Sequence, residues 1–178
     1  MLKIIFISIL ILFNINNTHG DSHFSNITLF QNCANIESLE MPSAKIEKLA
    51  FLHKRSFCRG IQDKPEAALS DLYRLIELDN SYTQAYVDIG YFEHEIGNHK
   101  KAVVALDYYI NSNPSSISAL ELRGDSLAAL GEKDLAVKSY RLVIKLIELE
   151  VKWLGLSKNS SPKLEEINKK IKSILGEK

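Results

Sequence analysis

The chain has 178 residues, enough for one domain with a sizeable core. Its 46% hydrophobic and 25% charged content excludes a disordered chain and a membrane-embedded bundle. Lys+Arg and Asp+Glu are both 22, so whole-chain charge gives no case for nucleic-acid binding.

Residues 1–20 read as a signal peptide. Lys3 precedes an apolar run from Ile4 to Ile15, which is broken only by Ser8 and Asn14. That run is shorter than the ~20 residues a membrane span needs, and the polar segment Asn16–Gly20 follows at once. Cleavage after Gly20 would leave no membrane span and deliver the chain to the periplasm or the extracellular space. The competing readings are an uncleaved anchor and a buried first helix. Asn26-Ile27-Thr28 and Asn159-Ser160-Ser161 match the glycosylation acceptor pattern, which matters only in a eukaryotic host.

Residues 21–48 form an N-terminal arm and cap, with Pro42 and Ser43 opening a helix. Export bears on Cys33 and Cys58, the two cysteines of the chain. An even count in an oxidising compartment favours a bridge, and closing a loop of about 25 residues would contribute ~3.5 kcal/mol. Two buried free thiols are the alternative, and a two-cysteine metal site is weaker because no histidine pair has finger-like spacing.

From residue 49 the chain overlays itself at a step of 34: Ala68, Ala102 and Ala136; Gly90 and Gly124; Gly97 and Gly131. Each unit carries two helical patterns. Asp63 and Glu66 have the spacing of a capping box around Pro65, and Ala67, Ala68, Leu69, Leu72, Leu75 and Ile76 form a stripe behind it. Ala128, Leu130, Leu135, Ala136, Tyr140, Val143 and Ile144 form the corresponding stripe of the last unit. Gly97 and Gly131 stand where a helix ends in a left-handed residue, and Pro114 stops the second helix of the middle unit.

This period, with two helices per unit, makes residues 49–150 resemble the tetratricopeptide-repeat family. The chain departs from the pattern at Ser56 and Asp63, where the later units have glycine. It departs again at Leu75, Tyr109 and Val143, where the family often has alanine, and at Glu148, where a proline would end the last helix. That helix is therefore expected to run on toward Trp153. The resemblance implies an all-α solenoid of about three helix-turn-helix repeats (49–82, 83–116 and 117–150), closed by a capping helix within 151–178. Leu164, Ile167, Ile171 and Leu175 provide the stripe of that helix. Charge is uneven: residues 65–135 hold 12 acidic and 5 basic side chains, while residues 151–178 hold 7 Lys and 3 Glu. Interleaved glutamates make the Lys-rich tail read as a solvated helix face.

No constellation for catalysis emerges. Ser56, Ser126 and Ser139 lie in helical patterns without a nucleophile elbow, and there is no Gly-rich phosphate loop. His94 and His99 are five apart across Gly97, so their rings are not expected to meet, and neither a metal nor a cofactor is expected. In the family the first helix of each pair lines a groove. The resemblance carries that face onto His53 and Phe57, then Gln84, Val87, Asp88, Tyr91 and His94, then Ser118, Glu121, Leu122, Asp125 and Ala128. The family's Lys/Asn/Arg clamp for a C-terminal carboxylate is missing: His53, Phe57, Asp88, Ser118 and Leu122 stand in its place. The expected function is a non-enzymatic adaptor or scaffold outside the cytoplasm, holding a basic and apolar protein or peptide segment. The alternative is a secreted effector acting on a foreign protein. Core packing is the competing reading of Phe57 and Tyr91.

Overall fold

The structure, a computed structural model, describes residues 33, 35–157 and 161–177. The expected signal peptide, its cleavage point and both acceptor motifs fall on positions outside these or only partly within them. The chain divides into two compact units, Met1–Ser38 and Leu39–Lys178. The described part of the first holds Cys33 and a single 3-10 turn, Ile36–Ser38, in which the Ser38 hydroxyl donates to the Asn35 carbonyl at 2.8 Å. Both Cys33 and Cys58 are disulfide-bonded, and no described cysteine is free.

The second unit is all helix among its described residues: α1 Lys45–Ile61, α2 Pro65–Leu78, α3 Gln84–Glu95, α4 His99–Ser112, α5 Ile117–Ala129, α6 Lys133–Trp153 and α7 Pro162–Leu175. Consecutive helices pack as antiparallel pairs, α1 with α2, α3 with α4 and α5 with α6, and the pairs stack in order, with α3 also touching α5.

The period is visible atom by atom. The first helix of every pair ends in the same turn. The N–H of Lys64, Asn98 and Glu132 reaches back to the carbonyl of Arg59, Glu93 and Leu127 at 2.9, 2.7 and 2.9 Å. This motif needs a left-handed residue just before its last N–H. Gly97 and Gly131 supply φ of 82° and 78°, and Asp63 takes φ of 64° at the same register without being glycine. Asp63 is thus a turn residue and not the cap of α2. The helix starts from Lys64 with no side-chain cap bond, so the expected capping box does not form.

In each pair a small residue faces a large one. Ala68, Ala102 and Ala136 are fully buried. A Cβ on Gly90 would lie 2.6 Å from Leu106 Cγ, and one on Gly124 would lie 2.7 Å from Tyr140 Cε1. Leu106 and Tyr140 occupy one register, and Ser56 stands where the glycines do in the first pair, buried, with its hydroxyl donating to the His53 carbonyl at 2.7 Å.

Buried charge ties the helices of a pair together. Arg55 makes two bonds to the buried Asp71 at 2.8 and 2.6 Å, and Arg59 adds a third at 2.9 Å. Sixty-eight residues on, Arg123 donates to the buried Ser139 Oγ within its own pair at 2.7 Å, and across to the half-exposed Asp107 of α4 at 2.5 Å. The middle pair has Ile89 and Ala105 at these places and closes by packing alone, both being buried. Glu93 is buried and held by the Tyr73 hydroxyl and by Asn98 Nδ2 at 2.7 Å.

With no proline at 148, α6 runs to Trp153 and ends in another left-handed turn at Gly155, φ 67°. Its extra length packs against α7: Ile147 and Val151 join Leu164 and Ile167 in one core with Tyr140 and Val143, flanked by Ile171 and Ile174. Leu175 and Leu135, expected in buried stripes, are exposed. At the end of α7 it is Ile174, one residue earlier, that turns inward.

Candidate functional site

The first helices α1, α3 and α5 lie side by side and carry the side chains expected to form a groove. Between α1 and α3 the contact is polar. His53 Nε2 lies 2.8 Å from Asp88 Oδ2, and the Tyr82 hydroxyl lies 3.1 Å from His53 Nδ1 with the two rings edge to face. A carboxylate only accepts, so the Nε2–H donates to it. Burial raises the Tyr82 hydroxyl above its usual range, and the Asp88 charge adds to this. Phe57, one turn beyond His53, and Gln84, at the start of α3, are half-buried.

Farther along α3, Tyr91 is half-buried and sits edge-on to Phe92 at 5.3 Å. Its hydroxyl is pushed up to about 12 by burial and by the nearby Glu95. Val87 and Leu122 pack on the core of Leu106, Tyr109 and Ala119, and Ala128 packs on the α5–α7 core. All three are partly buried, so each packs on a core with one side and keeps part of its surface open.

Between α3 and α5 the joint is His94. Its Nδ1 lies 2.9 Å from Ser126 Oγ, and that hydroxyl donates to the Leu122 carbonyl at 2.9 Å. The single hydroxyl hydrogen is thereby used, so His94 Nδ1–H must be the donor and Nε2 carries the free lone pair. The His94 and His99 rings are 4.9 Å apart, contrary to the expectation that they would not meet; the left-handed turn at Gly97 folds α4 back on α3 and brings them together. Burial, then the neighbouring His99, lower His94 below its usual range, with Lys170 adding and Asp125 opposing. Among the described residues no group of three or more His, Cys, Asp or Glu side chains is placed to hold a metal ion.

The acidic end of the expected groove is already engaged. Glu121 receives Lys163 Nζ at 2.7 Å and Lys170 Nζ at 2.8 Å. Asp125 receives Lys170 at 2.9 and 3.0 Å and the Tyr140 hydroxyl at 2.6 Å. These bonds hold Lys170 above its ordinary value although burial opposes them. Ser118 is exposed in the first turn of α5, 3.4 Å from the Ser116 hydroxyl that caps that helix, and takes part in no cluster. The reading from sequence missed Tyr82, Ser126, Lys163 and Lys170. Lys163, Glu166 and Lys170 do share a helix face by spacing, but nothing in that spacing says which helix they meet.

Residues 117–148 match the family model of the tetratricopeptide repeat, the segment that forms α5 and most of α6. That segment is a tetratricopeptide repeat, and the helix stack around it has the tetratricopeptide-repeat fold. No curated protein matches it in sequence. Among solved structures, MamA is similar at 24% identity and a TM-score of 0.59, over 73% of this chain and 70% of that one. The first tetratricopeptide domain of RPAP3 bound to an HSP90 peptide is similar at 16% identity and 0.60, over 73% and 92%. The type III secretion chaperone SycD of Yersinia enterocolitica, in complex with a peptide of the translocator YopD, is similar at 19% and 0.57, over 78% and 95%. At these identities the likeness is one of fold, and the site must be argued from this chain's own residues.

Proposed function

We propose that this protein of tetratricopeptide-repeat fold is a non-enzymatic interaction module. It holds a peptide segment or partner protein against α1, α3 and α5, outside the cytoplasm. The observation that carries the reading is the run of partly exposed aromatic and polar side chains across two repeats: Phe57, His53, Tyr82, Asp88 and Tyr91. Two structures of the same fold hold a peptide, which supports this use of the fold. An apolar segment with a Lys or Arg fits this face, with Tyr91 and Phe57 as apolar contacts and Asp88 and Glu95 as the acidic edge. Glu121 and Asp125 contribute little to steering, because Lys163 and Lys170 already neutralise them. The run from Ile4 to Ile15 and the bonded cysteines support a location in an oxidising compartment.

The test is selection of binding peptides from a displayed library, followed by calorimetry on the best. Tyr91→Ala should weaken binding by ~2 kcal/mol, about 30-fold, as expected of a central aromatic anchor. Arg74→Ala, on the exposed side of α2, should leave binding unchanged. Undiminished binding by Tyr91→Ala and Asp88→Asn alike would place the partner on another face. The location is checked separately by mass spectrometry of native protein, whose N-terminus should lie near Asp21; retention of Met1 to Ile15 would refute it.

A further inference from the structure

The outer face of α6 departs from the repeat. At the register of Leu142 the first repeat has Arg74, and at the register of Leu135 the second has Lys101, both exposed. At the same two registers the second repeat has Tyr108, 43% exposed, and the first has the half-buried Ala67, so elsewhere in the stack these positions are mixed. On α6 they are apolar: Leu135, Leu142, Leu149 and Trp153 are 39, 50, 55 and 85% exposed. At 100° per residue the four fall within about 40° of one another. The leucines recur every seven residues, and Leu156 continues the step just past the helix end, 55% exposed. Leu149 and Leu156 border an open depression of about 490 Å³ with Lys145, Lys152 and Gly155. A second row runs along one edge of the stripe, made of Lys138, Lys145 and Lys152 with Arg141 behind, all exposed. Asp134 and the half-buried Glu148 are the acids on that edge. Among the described residues no ion pair engages any of these four basic side chains.

We infer that this face of α6 docks an amphipathic helix of a partner, with an apolar seam in heptad spacing and Glu or Asp along its flank. The seven-residue step is what a second helix imposes, because knobs must meet holes at the coiled-coil period. A lipid surface rewards any outward apolar residue and sets no such step. A second copy in antiparallel pairing would set one lysine row against the other, whereas an acidic flank neutralises it. This surface is independent of the face on α1, α3 and α5, and either reading can fail alone.

Trp153 is the chain's one tryptophan, so its emission reports the docking directly. The probe is a synthetic four-heptad peptide with Leu and Ile at the seam and Glu at both flanks, titrated into the full chain. A counterpart with Lys in place of Glu serves as control. The Glu peptide should shift Trp153 emission to the blue, and added salt should weaken the effect; the Lys peptide should do nothing. Leu142→Arg places in α6 the residue the first repeat already tolerates, and should weaken binding at least about tenfold. Should that variant lose its circular dichroism signal, the pair Lys138→Glu and Lys145→Glu keeps the seam intact and should exchange preference toward the Lys peptide. Equal response to both peptides, no shift with the Glu peptide, or binding unaffected by either set of substitutions would overturn the proposal. So would a blue shift without peptide accompanied by doubled mass in light scattering, or a stronger shift on phosphatidylglycerol vesicles than with the Glu peptide.

Discussion

Gly124 has no room for a methyl group. Its missing Cβ would sit 2.7 Å from the Tyr140 ring, and that ring is pinned because its hydroxyl donates to Asp125 at 2.6 Å. In an exposed helix interior, alanine would stabilise by ~1 kcal/mol over glycine. Here overpacking dominates, and Gly124→Ala should cost ~1–3 kcal/mol in urea unfolding. Gly90→Ala should cost less, because Leu106 can change rotamer where Tyr140 cannot. His94 sets a pH dependence. Its folded-state value lies below the ordinary 6.5, with burial as the main cause. The unfolded chain therefore takes up the proton first, so this group's contribution is complete above 6.5 and is lost as pH falls through the folded value. The melting temperature should drop on acidification from about pH 7.5 to about 5.5, and His94→Gln should reduce the drop. An equal drop in both proteins would assign the acid sensitivity to other groups.

Among the elements, α6 is the one whose length a single residue decides. In the second pair Pro114 lies beyond the end of α4, where a missing N–H costs nothing. At the same register α6 has Glu148, in mid-helix, and five more residues follow before the helix ends. Those residues carry Val151, which packs with Leu164 and Ile167 of α7. Glu148→Pro should remove a backbone bond, clash with the preceding turn and free α7, at a cost of ~3 kcal/mol or more. Hydrogen exchange should then show loss of protection throughout α7 while α1–α4 stay protected, since a repeat stack is held by nearest-neighbour contacts. Uniform loss of protection would mean that the stack unfolds as a single cooperative block.

For the molecule as a whole, both cysteines are disulfide-bonded, and reduction should lower stability by ~2–4 kcal/mol, seen as a lower urea midpoint with dithiothreitol. Thiol labelling of the unreduced protein should modify neither cysteine; modification of both would remove the bridge from the account. The sequence by itself determined the repeat. The 34-residue step through Ala68, Ala102 and Ala136, the helix-ending glycines 97 and 131, and the long α6 implied by Glu148 were all readable. Each depends on helix geometry and on neighbours a few residues away. Asp63 shows the limit of that reading: its type and spacing suggested a cap, and the turn repeated at 97 and 131 made it a left-handed residue instead. The face on α1, α3 and α5 was legible as a set of residue numbers, and only the tertiary structure decided their condition. It packed Val87 and Leu122 against the core, brought His94 beside His99, and laid Lys163 and Lys170 on Glu121 and Asp125. Helical spacing fixes which side chains share a face. What stands opposite that face depends on how distant segments dock, and the charge left for a partner depends on that docking.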